Sequence, residues 1–149
     1  MPGPLIDCYV LAPARSAALA RQFLDKFLPN RVPSFDAMDP VDVLGLADDS
    51  SLSDILESLA AQPTTAYSMY WRNAEEEPPY AGLLAFTGDG ALILGLSPCE
   101  DDRVSEAASW IELMKQFADT DLAYWGVEEA PAESSSSFRR RAGLPTGAA

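Results

Sequence analysis

The sequence predicts an α+β fold in which an antiparallel or mixed sheet of about five strands is covered by about three helices. Three observations support this prediction. Apolar residues repeat with the helical period in three stretches and with the strand period, or as short apolar runs, in others. A glycine-rich turn joins two apolar runs as a hairpin. The resulting order, β-α-(β)-α-β-β-β-α-β, lacks the regular alternation of a doubly wound fold.

The chain begins with a predicted strand and a predicted helix. Residues 5–12 are rich in strand formers and are followed by Pro13. Ser16 stands at an N-cap position, and the apolar residues after it repeat at helical spacing until Pro29. We therefore expect the first helix between these two residues.

A long loop and a second helix are predicted next. Residues 30–47 are rich in Pro and Asp and are expected to be mostly loop, with a brief candidate strand at 43–46. Ser51 and Asp54 have the spacing of a capping box, which predicts a helix start here. Pro63 ends that helix.

The middle of the chain is predicted to form the main part of the sheet. Residues 67–71 alternate between two faces, as a strand does. The apolar runs 81–87 and 91–96 flank residues 88–90, Gly-Asp-Gly, whose glycines allow the positive φ angles of a tight hairpin.

A third helix, a last strand and a tail complete the prediction. Asp102 or a neighbour is a candidate cap for the helix, and residues 122–127 have strand propensity. We expect residues 1–133 to form a single α+β domain. Residues 134–149 have no periodic apolar face and are expected to be a flexible tail.

The charge of the chain predicts a partner of opposite sign. The formal net charge is -13, and histidine is absent. Residues 1–138 contain all 23 acidic residues and only 7 basic residues, a net charge of -16. Nucleic acid is not expected as a partner, because binding it requires Lys and Arg to neutralise phosphates. A basic protein surface is favoured, because opposite charges steer association.

The absence of histidine excludes the commonest catalytic systems. Ser-His-Asp and Cys-His nucleophiles and HExxH zinc sites all need an imidazole. Cys8 and Cys99 have no CxxC spacing, so neither a zinc knuckle nor a redox pair is indicated. We expect no enzymatic activity, no cofactor and no metal. A carboxylate-dependent or metal-dependent enzyme is the alternative, with acids at 48–49, 75–77 and 100–102 in predicted loops.

No segment is predicted to enter a membrane. The first residues lack the basic and long apolar regions of a signal peptide, and no apolar run approaches the ~18 residues of a membrane span. We expect a cytoplasmic protein.

Aromatic and acidic residues in the middle of the chain are candidate binding residues. Tyr70 and Trp71 lead into Arg72, Asn73 and the acidic residues 75–77. Rings beside charged loop residues are typical of interface anchors, but the end of an amphipathic strand has the same pattern, and both interpretations are kept. The predicted partner-binding residues are Tyr70, Trp71, Glu75, Glu76, Glu77 and Tyr80, followed by Asp48 and Asp49.

Residues 67–97 also contain a recognisable motif. A Tyr-Trp strand and an acidic loop precede a hairpin of the form FT-x-DG-x-LI-x-GLS, and a later strand ends in Glu and Pro. This pattern resembles the core of small cytoplasmic immunity proteins that accompany secreted bacterial toxins of the polymorphic, type VI and contact-dependent systems. The matching residues are Tyr70, Trp71, Phe86, Thr87, Asp89, Gly90, Leu92, Ile93, Gly95, Leu96, Ser97, Glu129 and Pro131.

The resemblance implies that the chain binds a cognate toxin domain stoichiometrically and covers or distorts its active site. The charge agrees with this hypothesis, because toxins that attack nucleic acids or nucleotides often have basic clefts into which an acidic inhibitor is steered. An acidic chaperone or adaptor that shields a basic client before secretion is the alternative binding function.

Overall fold

One antiparallel sheet organises the residues that the computed structural model describes, 4–34 and 49–142. The strands are β1 (Leu5–Leu11), β2 (Arg31–Pro33), β3 (Tyr67–Asn73), β4 (Ala81–Phe86), β5 (Leu92–Glu100) and β6 (Ala123–Val127), and the helices are α1 (Ala17–Phe27), α2 (Asp49–Ala60), α3 (Val104–Ala118) and α4 (Ser135–Ala142). The strand order is β2-β3-β4-β5-β1-β6. The predicted α+β class is confirmed; the described part has six strands and four helices, and every strand pair is antiparallel.

The two faces of the sheet are covered unequally. Cys8 and Val10 of β1 belong to the larger buried cluster, to which α1, α2 and α3 contribute; we call this side the first face. Tyr9 and Leu11 point the other way, into a smaller cluster that includes Phe138 of α4; we call that side the second face. Within the described residues, none of the four helices has both the length and the apolar character needed to cross a bilayer.

The start of α1 confirms the cap predicted from the sequence. Ser16 Oγ accepts a hydrogen bond from the Leu19 N–H at 3.1 Å, which satisfies one of the free amides at the helix start. The helix packs closely on β4 because Gly82 has no side chain: a Cβ there would lie 2.3 Å from Leu28 Cδ1. This glycine allows the end of α1 to lie directly on the first face.

Three local predictions differ from the structure. The predicted loop at 30–47 contains β2, which pairs with β3, whereas the candidate strand 43–46 lies outside the described residues. The second helix already begins at Asp49, so Ser51 lies inside it and is not its N-cap. At α3 the N-cap residue is Arg103, and no side chain caps the helix.

The largest correction concerns residues 135–142. The sequence predicts a flexible tail from residue 134, but the structure has α4 here, with Phe138 fully buried. The Phe138 ring lies with its centroid 4.8 Å from that of Tyr124. One aromatic residue per helix leaves no periodic apolar pattern, so the sequence contains no repeat that predicts this helix.

Arg15, just before α1, contacts three other parts of the chain. All five of its N–H groups donate to main-chain carbonyls, and its guanidinium group lies 5.0 Å from the centroid of the Phe86 ring. The acceptors, at 2.7–3.1 Å, are the carbonyl oxygens of Leu59, Gln62, Thr65, Thr87 and Ala91. Arg15 therefore joins the end of α2 and the loop after it to the β4–β5 hairpin.

We predict that Arg15→Lys lowers the free energy of unfolding by about 2 kcal/mol, because an ammonium group has three donors and cannot span the five carbonyls. Urea unfolding at neutral pH measures this loss. The control is Arg139→Lys, which changes an exposed arginine of α4 and is expected to change stability by less than about 0.5 kcal/mol. Equal stability of the two variants would contradict the role of Arg15.

Candidate functional site

The part of the second face that α4 does not cover forms a cleft of about 650 Å³. Its floor consists of β1, β3, β4 and β5, and one wall is the segment that follows β6, residues 128–131. The residues that line the cleft include Leu5, Asp7, Tyr9, Ser34, Tyr70, Arg72, Ala81, Leu83, Gly95, Ser97, Glu128, Glu129, Ala130 and Pro131. Small residues of the central strands form part of the floor, and the carboxylates of Asp7, Glu128 and Glu129 lie at one side.

Tyr9 connects the floor of the cleft to its wall. Its ring packs against β5 because Gly95 has no side chain: a Cβ at this position would lie 2.8 Å from the ring and 2.9 Å from Leu83 Cγ. The Tyr9 hydroxyl donates a hydrogen bond to the Glu129 carbonyl oxygen. The wall is therefore fixed to the sheet by a buried tyrosine.

Asp7 is the second connection between the sheet and the wall. The Ser97 hydroxyl donates to Asp7 Oδ1 at 2.5 Å, and the Glu129 N–H donates to Oδ2 at 2.8 Å. Burial raises the pKa of this carboxyl; the two hydrogen bonds partly oppose the shift, whereas the charges of Glu128 and Glu129 add to it. Burial and the neighbouring carboxylates therefore disfavour the charged form of Asp7.

The acidic residues 75–77 form an ordered loop at one end of the cleft. Arg72 and Ala81, which pair across β3 and β4, both line the cleft and lead directly into this loop. The loop is organised by Asn73, whose side chain is buried. Its amide group donates to the carbonyl oxygens of Glu77 and Pro79, and its Oδ1 accepts from the Glu75 N–H at 2.9 Å.

These contacts leave the three acidic side chains of the loop exposed to solvent. Because Asn73 satisfies the main-chain groups of the loop internally, the side chains of Glu75, Glu76 and Glu77 are not needed to hold its conformation. The structure thus presents three carboxylates on a fixed backbone beside a cleft that contains three more. Among the described residues that line the cleft, Arg72 is the one cation.

A second cleft of about 610 Å³ lies on the same face, over the other ends of β3 and β4. It shares Tyr70, Ala130 and Pro131 with the first cleft. Residues 130–131 thus cross the second face between the two clefts, and the half-buried Tyr70 contributes to both.

The remaining corner of this face is covered by α4. Asp89, in the turn of the β4–β5 hairpin, accepts hydrogen bonds from the N–H and the hydroxyl of Ser135, at 2.6–3.0 Å. At the other end of the helix, Arg141 lies 5.4 Å from the centroid of the Tyr124 ring and forms a 3.0 Å ion pair with Glu129. The helix is therefore joined both to the hairpin and to the wall of the cleft.

The structure separates the predicted aromatic anchors. Tyr70 lines the cleft on the second face, and Tyr80 is half-buried at the end of the acidic loop. Trp71 is 1% exposed and belongs to the first-face cluster, so its prediction as a surface anchor is corrected: the ring is part of the core. Adjacent strand residues point to opposite faces, and for Trp71 the amphipathic-strand interpretation is the right one.

The remaining predicted partner-binding residues are Asp48 and Asp49. Asp48 lies outside the described residues. Asp49 begins α2, which packs on the first face, whereas the cleft is on the second. Among the predicted partner-binding acids that the structure describes, those of the 75–77 loop are next to the cleft.

Sequence reasoning missed the three carboxylates of the cleft itself. Asp7 is the only charged residue within the apolar strand β1, and an isolated carboxylate in a buried strand is a signal that was available. Glu128 and Glu129 looked like the polar end of a strand. No group of three or more Cys, Asp or Glu residues suited to hold a metal ion is found in the described parts of the chain.

We predict that protonation of Asp89 loosens α4. Its hydrogen bonds with Ser135 and Thr87 hold the pKa of Asp89 well below its usual range. The stabilisation is therefore complete above the ordinary Asp pKa of about 3.9 and is lost as the pH falls through the depressed value. Asp89→Ala at pH 7 should destabilise the docked helix by about 1 kcal/mol.

The NMR signals of the Ser135 amide and the Phe138 ring report this docking. In the wild type they should stay at their docked positions down to pH 4 and change only in stronger acid. Asp89→Asn keeps a carbonyl acceptor without the charge, and its signals should not show that acid transition. If the acid transition persists in Asp89→Asn, it comes from the protonation of a group other than Asp89.

Comparison of the chain with protein-family models, with curated proteins and with solved structures gives no match. The case for a function therefore depends on the cleft, the acidic loop and the charge of the chain.

Proposed function

We propose that this chain is an immunity protein that binds a bacterial toxin domain with a basic cleft and blocks its active site. The observation that carries the proposal is the joint placement of the acidic 75–77 loop and the carboxylates of Asp7, Glu128 and Glu129 around one open cleft. A chain with a net charge of -13 concentrates negative potential where its surface is concave. The proposal includes a cytoplasmic location and neither nucleic acid nor membrane as a partner.

The division of roles within the site follows from exposure. The three exposed glutamates of the loop accelerate association and discriminate against acidic proteins, but each contributes little to affinity because water screens it. Asp7 is partly buried, so a partner cation placed beside it is desolvated and its interaction is stronger, whereas Glu129 is already paired with Arg141. The half-buried Tyr70 supplies a ring surface for an apolar or cationic side chain.

The chaperone hypothesis involves the same surface but predicts a weaker complex. A chaperone must release its client, so its complex would be weak and would dissociate as salt screens the charges. An inhibitor must stay bound while the toxin is in the cell.

The test is coexpression of the full chain with basic toxin domains of bacterial secreted proteins, among them any domain encoded next to it. We expect restored growth with one such domain and a one-to-one complex that survives about 0.5 M salt, at which surface charge pairs are largely screened. A complex that forms but leaves the toxin active and dissociates in salt would favour the chaperone. Failure of every domain to bind or be inhibited would overturn both.

We predict that neutralising the loop with Glu75→Gln, Glu76→Gln and Glu77→Gln lowers the association rate constant about ten-fold at low salt and changes the dissociation rate little. Stopped-flow kinetics at two salt concentrations measures both rates. The matched control, Asp54→Asn, Glu57→Gln and Asp119→Asn, removes the same charge from exposed positions on α2 and at the end of α3. Equal slowing by both variants would mean that net charge, and not the loop, steers association.

A further inference from the structure

The outer edge of β6 has main-chain groups that no strand of the described chain satisfies. β6 stands at the end of the strand order and pairs only with β1. Leu122 O accepts from the Leu11 N–H, and the Glu128 N–H donates to Leu5 O, so the even-numbered residues of this stretch face β1. Because antiparallel bonding alternates, the odd-numbered residues turn their N–H and C=O groups outward. These outward residues are Ala123, Trp125 and Val127.

The β2 edge, at the opposite side of the sheet, is protected against pairing with a further strand. The β6 edge of the described chain lacks this protection. β2 has three residues, including the charged Arg31 and Pro33, which has no N–H. Short length, charge and proline are the features that prevent pairing at an edge. β6 has five residues, none charged and none proline, and Val127 is 45% exposed. The described chain thus has one edge open to a further strand.

A groove of about 390 Å³ with both apolar and charged lining residues runs beside this edge, between β6 and α3. Ile111 and Trp125 form its inner part, and Val104, 46% exposed, and the exposed Ala108 form its outer part. A strand added to β6 would place every second side chain above this groove. The edge and the groove therefore offer main-chain bonds and side-chain contacts to the same ligand.

We propose that the β6 edge binds an extended segment of a partner protein by strand addition, and that this segment alternates apolar and basic side chains. The apolar side chains enter the groove, whose charged lining residues are Glu112, Lys115 and Asp121. Lys115 forms a 3.3 Å ion pair with Glu112, so the exposed Asp121 gives the groove a net negative charge. The alternate side chains point to the second face, where Glu128 follows β6. Both positions favour a basic partner. A second copy is disfavoured, because each chain has a net charge of -13.

This inference does not depend on the immunity function, since any polypeptide of this pattern fits the edge. The probe is the peptide acetyl-KVKVKVK-amide, titrated into the full chain and followed by amide NMR and hydrogen exchange. We expect shifts and slowed exchange at the three outward residues of β6. The charge-inverted peptide EVEVEVE should bind at least ten-fold more weakly. Equal binding of both peptides, or shifts confined to the cleft on the second face, would overturn the proposal.

Two variants separate the edge from the rest of the surface. Val127→Pro removes one outward N–H without removing a bond to β1, and Val127→Ala is the control that keeps the N–H. We expect the dissociation constant of KVKVKVK to rise at least five-fold in the proline variant relative to the alanine variant. Ala108→Arg, on the exposed side of α3, fills the groove with a positive charge and should have a similar effect even if the proline variant unfolds.

Two further results would count against the proposal. Unchanged binding in Val127→Pro and Ala108→Arg would show that neither the edge nor the groove is used. Reversible dimerisation of the free chain that Val127→Pro abolishes would assign the edge to a second copy. Neither result bears on the Glu75, Glu76 and Glu77 variants, so the immunity function is tested separately.

Discussion

The constraint on which the rest of the structure depends is that one sheet has two apolar faces and unequal helical cover. The first face is buried under α1, α2 and α3, which contribute regular apolar stripes. The second face receives only α4 among the described helices, with Phe138 as its fully buried side chain, and the crossing segment that precedes it. The clefts exist because α4 and the crossing segment cover only part of the second face. A long helix on the second face would have covered the clefts and removed the site.

Where helices do not supply packing, single polar side chains fix the irregular segments. Asn73 holds the acidic loop, Asp7 holds the wall after β6, Asp89 caps α4, and Arg15 collects five carbonyls at the base of the hairpin. Each satisfies main-chain groups that would otherwise be buried without partners or left to water. This explains why the acids of the 75–77 loop can be exposed without serving as structural contacts. In the cleft itself, Asp7 and Glu129 do serve as structural contacts.

Features determined by residues close together in the sequence could be predicted, whereas features determined by residues far apart in the sequence could not. The hairpin and the Ser16 cap were predictable because their signals lie within a few residues. The wall and α4 were not, because the Asp7 contact joins residues 122 positions apart and the Asp89 contact joins residues 46 apart. Alternation showed that Tyr70 and Trp71 point in opposite directions. It could not show which side the helices cover, because both faces of the sheet are apolar, and so the core residue was mistaken for the anchor.

The net negative charge of the chain reduces the risk that the open β6 edge pairs with another copy. An uncharged edge strand beside a groove with apolar lining residues is normally a hazard, because identical chains can pair through it. A net charge of -13 on each copy opposes pairing of two copies through this edge, although its residues are uncharged. The same field attracts a basic chain to the cleft and to the edge alike. The negative charge therefore disfavours association with another copy. It leaves the uncharged main chain of β6 accessible to a partner of opposite sign.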